Sequence, residues 1–467
     1  MFAATEGAEG WARVALTDGD GRDVRSQPER RSLGSRLVAF VVPRGRLGRS
    51  VALLVGGTAT AQAIYALTSP LLTRLYGPAD FGVLSVYQAA LGILGVVVGL
   101  RYMLAIPLQK DGPDVANVAT LTLALGTVMS AAFGAIGIAF AEPITEALHV
   151  PQLAPYMWVL PLSLAGGVLY QVMYFWAIRE QGFSVIARTR VAQSGSRAGV
   201  QLLLGVAGVA PLGLLLGDLA EDVAGCASFG RLLRAQLPPA MRAVRWREMR
   251  RLAGRYARFA WFSTPADLLG IASVQLIPLL VAYVFGATVA GWYALTYRIV
   301  ALPMTVIGVA VSETYFGIAP KLAREDPQAL VAFFGKTAKR LLLVGLVPTL
   351  VLVVAGPALF AFVFGGDWYA AGVYARYMAP ALLAQLVASP LAQTANILER
   401  QEVQLYLNGL RTALVVCAFV AAGLLSWSAD LTFLVFSAVL LVSYGVYFVT
   451  YWSLVRGWVR RHATPPA

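Results

Sequence analysis

Several ionisable residues lie inside long apolar stretches of the sequence, where a charge needs either a function or a partner, and four of them are candidates for a functional site. These four candidates are Arg101, Asp267, Arg298 and Glu313. A guanidinium group offers a planar fork of donors to phosphate or carboxylate oxygens, so Arg101 and Arg298 could line a cationic cleft for an anionic substrate. The alternative is that each side chain reaches the membrane surface or forms a salt bridge within its own bundle of helices.

A second charged group consists of three acids and one arginine. Asp218, Glu221 and Asp222 have the spacing i, i+3 and i+4, which places them on one face of a helix. Like charges at this spacing repel, so at least one acid is expected to be protonated or paired. Arg197 lies at a similar depth on the preceding helix, and we expect a structural ion pair between Arg197 and Asp222 or Glu221. A proton relay is the alternative.

The sequence contains no motif for enzymatic catalysis or metal binding. Gly335-Lys336-Thr337 resembles the end of a phosphate-binding loop, but Leu330 stands in place of the first glycine of that motif. The two cysteines are far apart and lack the spacing of a disulfide framework or a zinc site. We therefore expect a protein that is not an enzyme and uses no cofactor or metal.

The composition is that of a membrane protein. The chain has 467 residues, of which 58% are hydrophobic and 13% are charged, and its mean hydropathy is +0.69. In soluble domains about a quarter of the residues are charged. The apolar surface of this chain is too large to be buried in one core surrounded by water. A net charge of +13 would suggest binding to nucleic acid if the basic residues formed one patch. Here the basic residues are instead concentrated in the predicted cytoplasmic segments.

Twelve apolar segments are long enough to cross a bilayer, whose core of about 30 Å requires roughly 20 helical residues. The sixth is the least apolar because it contains the three acids. The predicted segments are 51–73, 82–107, 115–140, 153–178, 190–210, 211–230, 259–285, 290–319, 341–364, 374–398, 404–427 and 431–455. The sequence therefore predicts an all-α membrane protein with about twelve transmembrane helices.

The basic residues assign an orientation and a domain organisation. If the N-terminus is cytoplasmic, the cytoplasmic segments hold 31 of the 37 lysines and arginines, as the positive-inside rule requires. Both termini are therefore expected in the cytoplasm. The expected parts are a basic, disordered cytoplasmic tail (1–49), an N-lobe of helices 1–6 (50–230), a basic cytoplasmic linker (231–258), a C-lobe of helices 7–12 (259–456) and a cytoplasmic C-terminus (457–467).

The two lobes repeat each other in sequence. Pro70-Leu71-Leu72 matches Pro278-Leu279-Leu280, and further short matches follow in the same order. Because six crossings return the chain to its starting side, the second copy has the same orientation as the first, which is a parallel repeat. Two such lobes would face each other across a central cleft, a geometry that suits alternating access.

A series of short motifs between about residues 50 and 455 resembles the Wzx-type polysaccharide flippases. In the N-lobe these are residues 71–82 (LLTRLYGPADFG) and Leu100-Arg101-Tyr102 with Ala105-Ile106. In the C-lobe they are Gly291-Trp292-Tyr293, Tyr297-Arg298, Leu302-Pro303, Ile307-Gly308, Ser312-Glu313, residues 364–368 (FGGDW) and residues 397–400 (ILER).

The resemblance implies the fold of the multidrug/oligosaccharidyl-lipid/polysaccharide exporter superfamily, in a bacterial inner membrane. It also implies flipping of an undecaprenyl-pyrophosphate-linked oligosaccharide from the cytoplasmic to the periplasmic leaflet by ion-coupled alternating access. Arg101 and Arg298 would then bind the substrate, and Asp267 and Glu313 would serve ion coupling. Many family members have Glu where this chain has Met103, so no coupling role is expected at that position.

The partners implied by the resemblance are the lipid-linked oligosaccharide, membrane lipids, and the glycan polymerase and glycosyltransferases of the same pathway, without nucleic acid. Two other functions stay open. A multidrug or cation exporter of the same superfamily would favour acids over arginines in its cleft. A membrane-embedded glycan polymerase or ligase would be expected to have a large outward loop, whereas only short outward loops are predicted here.

Overall fold

The structure is a computed structural model that describes residues 46–109, 112–234, 242–302 and 304–462. The predicted tail (1–49) lies outside the described residues except for its last four, which begin the first helix. The described residues contain no β-strand. The α-helices are α1 (Arg46–Leu75), α2 (Pro78–Val98), α3 (Gly112–Ala139), α4 (Ala141–Ala147), α5 (Val159–Arg179), α6 (Phe183–Val206), α7 (Leu212–Leu233), α8 (Trp246–Arg255), α9 (Thr264–Val300), α10 (Val309–Glu325), α11 (Pro327–Phe364), α12 (Tyr369–Leu391), α13 (Gln393–Ile397), α14 (Gln401–Leu424) and α15 (Ala429–His462).

Twelve helical crossings can be traced through these elements, as expected from the sequence. The α9 helix supplies two of them because Gly286, with φ of 81° and ψ of 179°, interrupts its helical backbone. A positive φ of this kind is accessible to glycine without steric strain. Within the described ranges, seven helices are long and apolar enough to be recognised as membrane spans by length and composition alone. The other crossings, such as α7 with its three acids, are less apolar and are recognised as membrane spans only from their packing in the bundle.

The two halves of the chain pack their six crossings in the same way. In each half the first crossing contacts the fifth, the third contacts the fourth, and the sixth contacts both the fourth and the fifth. Two helix ends also recur at a constant interval. Gln181 and Glu399 have a positive φ, as do Gly208 and Ser426, and each pair is separated by 218 residues. At all four ends the next amide donates to the carbonyl five residues earlier. The parallel repeat is thus confirmed.

Two predicted spans are interrupted in the structure. The second was predicted to continue to residue 107, but α2 ends at Val98, and Leu100 and Arg101 adopt left-handed conformations with φ of 44° and 57°. A short 3-10 helix, Tyr102–Leu108, follows. The eighth was predicted as one helix, but it consists of the end of α9, a π-helical turn at Met304–Gly308, and α10. Apolar composition alone does not reveal such breaks, because a broken helix can be as hydrophobic as a continuous one.

Two other predicted boundaries are displaced by charged residues. The fifth span was predicted to begin at residue 190, but α6 begins at Phe183. The ninth was predicted to begin at residue 341, but α11 begins at Pro327. In both cases the additional turns carry basic side chains, which a hydropathy window excludes although a helix can extend beyond the bilayer core. The region expected to be a linker (231–258) contains α8, which the sequence analysis did not predict.

The halves meet mainly through α2 and α9, which approach so closely that side chains are excluded. A Cβ atom added at Gly82 would collide with the backbone of Ala287, and one added at Gly291 would collide with the backbone of Pro78. Near this contact the indole Nε1 of Trp368 donates a hydrogen bond of 3.1 Å to the carbonyl oxygen of Thr73. One end of the interface between the halves is therefore closed by backbone packing.

The outer surface of the bundle is apolar, as lipid requires. Large hydrophobic side chains point away from the protein on several helices, and Phe362 and Leu424 are 82% and 80% exposed. An apolar belt of this size would cause aggregation in water and is stable only in a membrane. The protein is therefore a multi-pass membrane protein.

The close approach of α2 and α9 leads to a testable prediction. We expect Gly82→Ala to lower the thermal midpoint of the purified protein, because overpacking a tight contact costs about 1–3 kcal/mol. Gly95→Ala is the matched control on the same helix, since no atom lies within 4 Å of its added Cβ. Equal midpoints for the two variants in a thermal unfolding assay would contradict the packing described above.

Candidate functional site

A cavity of about 200 Å³ lies between the two halves of the protein. Tyr65 of α1 forms one side of it, α2 contributes Ser85 and Gln88, and α9 contributes Gln275 and Arg298. The remaining lining residues are Phe81, Leu84, Val274, Pro278, Tyr293, Ala294 and Tyr297. The cavity therefore combines apolar and aromatic walls with a small number of polar groups, one of which is a cation.

Arg298 is the cation of this cavity, and no carboxylate among the described residues lines the cavity or forms a salt bridge with Arg298. Its guanidinium group lies over the ring of Tyr65, across the interface between the halves. The Nε and Nη2 atoms are buried and have no hydrogen-bond partner among the described residues. The aromatic face attracts the cation but does not accept hydrogen bonds in the guanidinium plane. Arg298 can therefore still bind an anion with the edge of its guanidinium group that carries Nε and Nη2.

Arg197 shows the opposite situation, because two carboxylates neutralise it. Its Nη2 lies 2.7 Å from Oδ1 of Asp218 and its Nη1 lies 3.0 Å from Oε2 of Glu221. The expected pairing with Glu221 occurs, whereas the pairing with Asp222 is replaced by one with Asp218. The reason is geometric: Asp218 and Glu221 are one turn apart on α7 and face α6. Asp222 lies instead against Gly166 of α5.

Two side chains connect this ion cluster to the cavity. Nε2 of Gln88, which lines the cavity, donates a 2.7 Å hydrogen bond to Oδ2 of Asp218. The ring of Tyr65 lies 4.9 Å from the guanidinium carbon of Arg197 as well as beneath Arg298. Gln88 was missed in the sequence analysis because it is uncharged. An amide inside an apolar span would have been the signal, since such a group also needs a polar partner there.

Arg101 in the N-terminal half and Asp267 in the C-terminal half form an ion pair with each other. Nε of Arg101 lies 2.8 Å from Oδ2 of Asp267, and the side chains are 19% and 44% exposed. The left-handed backbone of Arg101, unusual for a residue with a side chain, follows the end of α2. The two arginines expected to form one cationic cleft are thus in different environments, because Arg101 is paired and does not line the cavity.

Glu313 is exposed on α10 and is not among the residues that line the cavity. The structure therefore does not bring Glu313 and Asp267 together with Arg298. Among the described residues, no group of three or more histidine, cysteine, aspartate or glutamate side chains could hold a metal ion. The two cysteines, Cys226 and Cys417, are free thiols.

Comparison with known proteins gives a family match and two curated relatives. The family described as polysaccharide biosynthesis protein matches residues 71–372. The lipopolysaccharide biosynthesis protein WzxC of Escherichia coli (strain K12) is 22% identical over 368 residues, which cover 77% of this chain and 72% of WzxC. The succinoglycan biosynthesis transport protein ExoT of Rhizobium meliloti (strain 1021) is 23% identical over 309 residues, covering 65% of this chain and 59% of ExoT.

Among solved structures, the fold is similar to that of a multidrug resistance MATE family transporter of the MOP superfamily in its inward-facing conformation. The TM-score is 0.68 at 15% identity, and the match covers 85% of this chain and 96% of the transporter. At this identity the similarity establishes the shared fold, two bundles of six helices, and leaves the substrate to be argued from the site.

The ion cluster around Arg197 leads to a prediction that separates its two neighbouring aspartates. Asp218→Asn should lower the thermal midpoint and the yield of folded protein, because loss of one partner of a buried ion pair costs about 3–5 kcal/mol. Asp222→Asn, the same substitution one turn away, should have a smaller effect because Asp222 makes no direct ion pair with Arg197. A larger loss of stability in Asp222→Asn than in Asp218→Asn would contradict the observed pairing and support the Arg197–Asp222 pair expected from the sequence.

Proposed function

We propose that this chain, which belongs to the family of polysaccharide biosynthesis proteins, is a flippase for a polyprenyl-pyrophosphate-linked oligosaccharide. The observation that supports this proposal is the unpaired guanidinium of Arg298 in a cavity between the two halves. It offers a site for an anionic head group at the place where the substrate of a two-lobed transporter would pass. The membrane fold and the transporter relatives are consistent with such a function.

A transporter of this kind must lower the cost of moving a charged head group across hydrocarbon. A pyrophosphate with an attached glycan cannot cross unaided, because its charge and unsatisfied hydrogen-bonding groups are too costly there. Arg298 would bind a phosphate group with its free nitrogens, and Gln88, Gln275 and Ser85 would supply further polar contacts. The polyprenyl chain would stay in lipid beside the gap between the halves.

The size of the cavity requires a conformational change. The cavity has a volume of about 200 Å³. This is enough for a phosphate-sized group and too little for an oligosaccharide. The halves must therefore separate to admit the glycan, and the Gly82 end of the interface is closed by backbone packing. The proposal thus includes alternating access, with entry from the end near Arg101 and Asp267.

With the orientation expected from the positive-inside rule, transport from the cytoplasmic to the periplasmic leaflet is part of this proposal. The Arg101 end would face the cytoplasm and the Gly82 end the periplasm, so export would begin with entry beside the Arg101–Asp267 ion pair. A proton on Asp267 would remove the attraction between the halves, which gives Asp267 a role in ion coupling. Glu313 stays a candidate for the same role from its exposed position on α10.

The multidrug or cation exporter is the main alternative, and the polarity of the cavity argues against it. An organic cation would be bound most favourably by a carboxylate or by unoccupied aromatic faces. The described residues that line the cavity include Arg298 and no carboxylate. The face of Tyr65 is already covered by the guanidinium group. The relatives that act in lipopolysaccharide and succinoglycan biosynthesis favour the glycan.

The proposed role of Arg298 can be tested in a host strain that lacks its own copy of this gene. Arg298→Ala should keep its expression level but lower surface glycan display by about tenfold or more, because a hydrogen bond to a charged group contributes about 1.5–3 kcal/mol. Arg376→Ala is the control, since that arginine donates to the backbone carbonyl of Val354 and lies away from the cavity. Normal display in Arg298→Ala would remove Arg298 from the site.

The ion pair between Arg101 and Asp267 leads to a prediction about access to the cavity. Asp267→Asn should increase the alkylation rate of a reporter, Ala294→Cys, by up to about fivefold, since a partly exposed pair contributes no more than about 1 kcal/mol. The background should lack Cys226 and Cys417. Glu402→Gln, which breaks the exposed pair with Arg400 within one half, is the control. An unchanged rate in Asp267→Asn would mean that this pair does not hold the halves together.

A further inference from the structure

The segment that joins the two halves carries a dense basic surface. Seven arginines between residues 242 and 258 are all exposed, and Glu248 is the one acid in this range. We call these seven the α8 arginines: Arg242, Arg245, Arg247, Arg250, Arg251, Arg255 and Arg258. Arg251 pairs with Glu248 at 2.6 Å and with Asp114 at 3.3 Å. The other six form no salt bridge within the described part of the chain, so most of this charge is uncompensated.

The apolar side of α8 is already covered by the protein itself. Leu252 is fully buried, and Met249 is buried in a cluster with Tyr102 and Leu121. The hydroxyl of Tyr102 donates a 3.1 Å hydrogen bond to the carbonyl of Ala253. The helix is thus fixed to the N-terminal half through its apolar side, and its arginines point away from that contact. A partner of this helix must recognise positive charge and not a hydrophobic groove.

The contacts of α8 place it at the depth of the membrane surface. The amide of Arg245 donates to the side chain of Asn117 at 2.9 Å, so α8 packs beside the first turns of α3. The apolar part of α3, Pro113–Ala139, has 27 residues and is therefore about 40 Å long at 1.5 Å per residue. A bilayer core of about 30 Å leaves several residues of α3 in the head-group layer. The α8 helix lies beside the first turn of α3, where Asp114 pairs with Arg251, and charged groups of this kind belong in the head-group layer and not in hydrocarbon.

Exposed aromatic residues mark the same level. Trp246 at the start of α8 is 74% exposed, and Trp261 and Phe262, just after it, are 77% and 70% exposed. Tryptophan is enriched where hydrocarbon meets the head groups, because its ring is amphipathic. Arg255 and Arg258 precede Trp261 by only a few residues and must lie within the same layer.

We propose that the α8 arginines form a binding surface for the head groups of anionic phospholipids. Six guanidinium groups without a salt-bridge partner among the described residues lie on α8 or within four residues of its ends, beside the membrane, and the apolar side of that helix is already occupied. Phosphate groups accept hydrogen bonds from arginine, and basic side chains near a membrane attract anionic lipids. The surface is separate from the cavity and does not depend on the identity of the transported substrate.

The position of this surface connects lipid binding to the contact between the halves. Tyr102, which holds Ala253 of α8, follows directly after Arg101, the partner of Asp267 in the other half. A bound lipid would restrain α8 and, through Tyr102, the turn that carries Arg101. Anionic lipid is therefore expected to stabilise the arrangement of the halves seen in this structure.

The test compares lipid retention by the purified full-length protein and two triple variants. Arg242→Gln, Arg247→Gln and Arg250→Gln together remove three unpaired α8 arginines. Arg456→Gln, Arg460→Gln and Arg461→Gln together remove three exposed arginines at the end of α15, with the same loss of charge. Native mass spectrometry in a non-ionic detergent would count bound phosphatidylglycerol and phosphatidylcholine.

The wild-type protein should retain phosphatidylglycerol in preference to phosphatidylcholine. In the α8 variant this preference should fall by at least about fivefold, which is the effect expected from losing one surface arginine. The α15 variant should keep most of the preference. Equal losses in the two variants, or no loss in the α8 variant, would overturn the proposal. If the triple α8 variant does not fold, Arg250→Gln alone should still lower the preference, and an unchanged preference in that variant would be equally contradictory.

Discussion

The central constraint on this protein is that a guanidinium group cannot stay charged inside a membrane bundle without compensation. Arg197 and Arg298 satisfy this constraint in different ways although both contact Tyr65. Arg197 is neutralised by Asp218 and Glu221 within its own half. Arg298 has an aromatic face on one side and unpaired nitrogens in a cavity on the other. The first arrangement suits a structural role, and the second leaves a place for an anion that arrives and departs.

The rest of the architecture can be understood from what the cavity requires. Two halves with the same helix packing enclose it, and glycines at positions 82 and 291 let α2 and α9 close one end through backbone contact. At the other end the halves are joined by a partly exposed ion pair, Arg101–Asp267. A tight apolar contact at one end and a weaker electrostatic contact at the other are what a transporter needs in order to open one side at a time.

Much of the fold was predictable because the bilayer imposes long apolar helices and because the halves repeat. The breaks were not, since Gly286 and the left-handed pair Leu100 and Arg101 are conformations that hydropathy does not encode. The site was only partly predictable for a related reason. Arg101 and Arg298 look alike in sequence, and only the structure shows that Arg101 meets Asp267 while Arg298 does not. Which acid pairs with Arg197 likewise depends on the rotation of α7, which spacing alone leaves open.

The central claim is that Arg298 is available to a phosphate-bearing lipid, and direct binding tests it. The measurement is native mass spectrometry of the purified protein with undecaprenyl pyrophosphate, using undecaprenol as the uncharged competitor and Arg298→Gln as the comparison. We expect the wild-type protein to retain the pyrophosphate in preference to the alcohol and Arg298→Gln to lose this preference. Equal retention of the pyrophosphate by both proteins would contradict it.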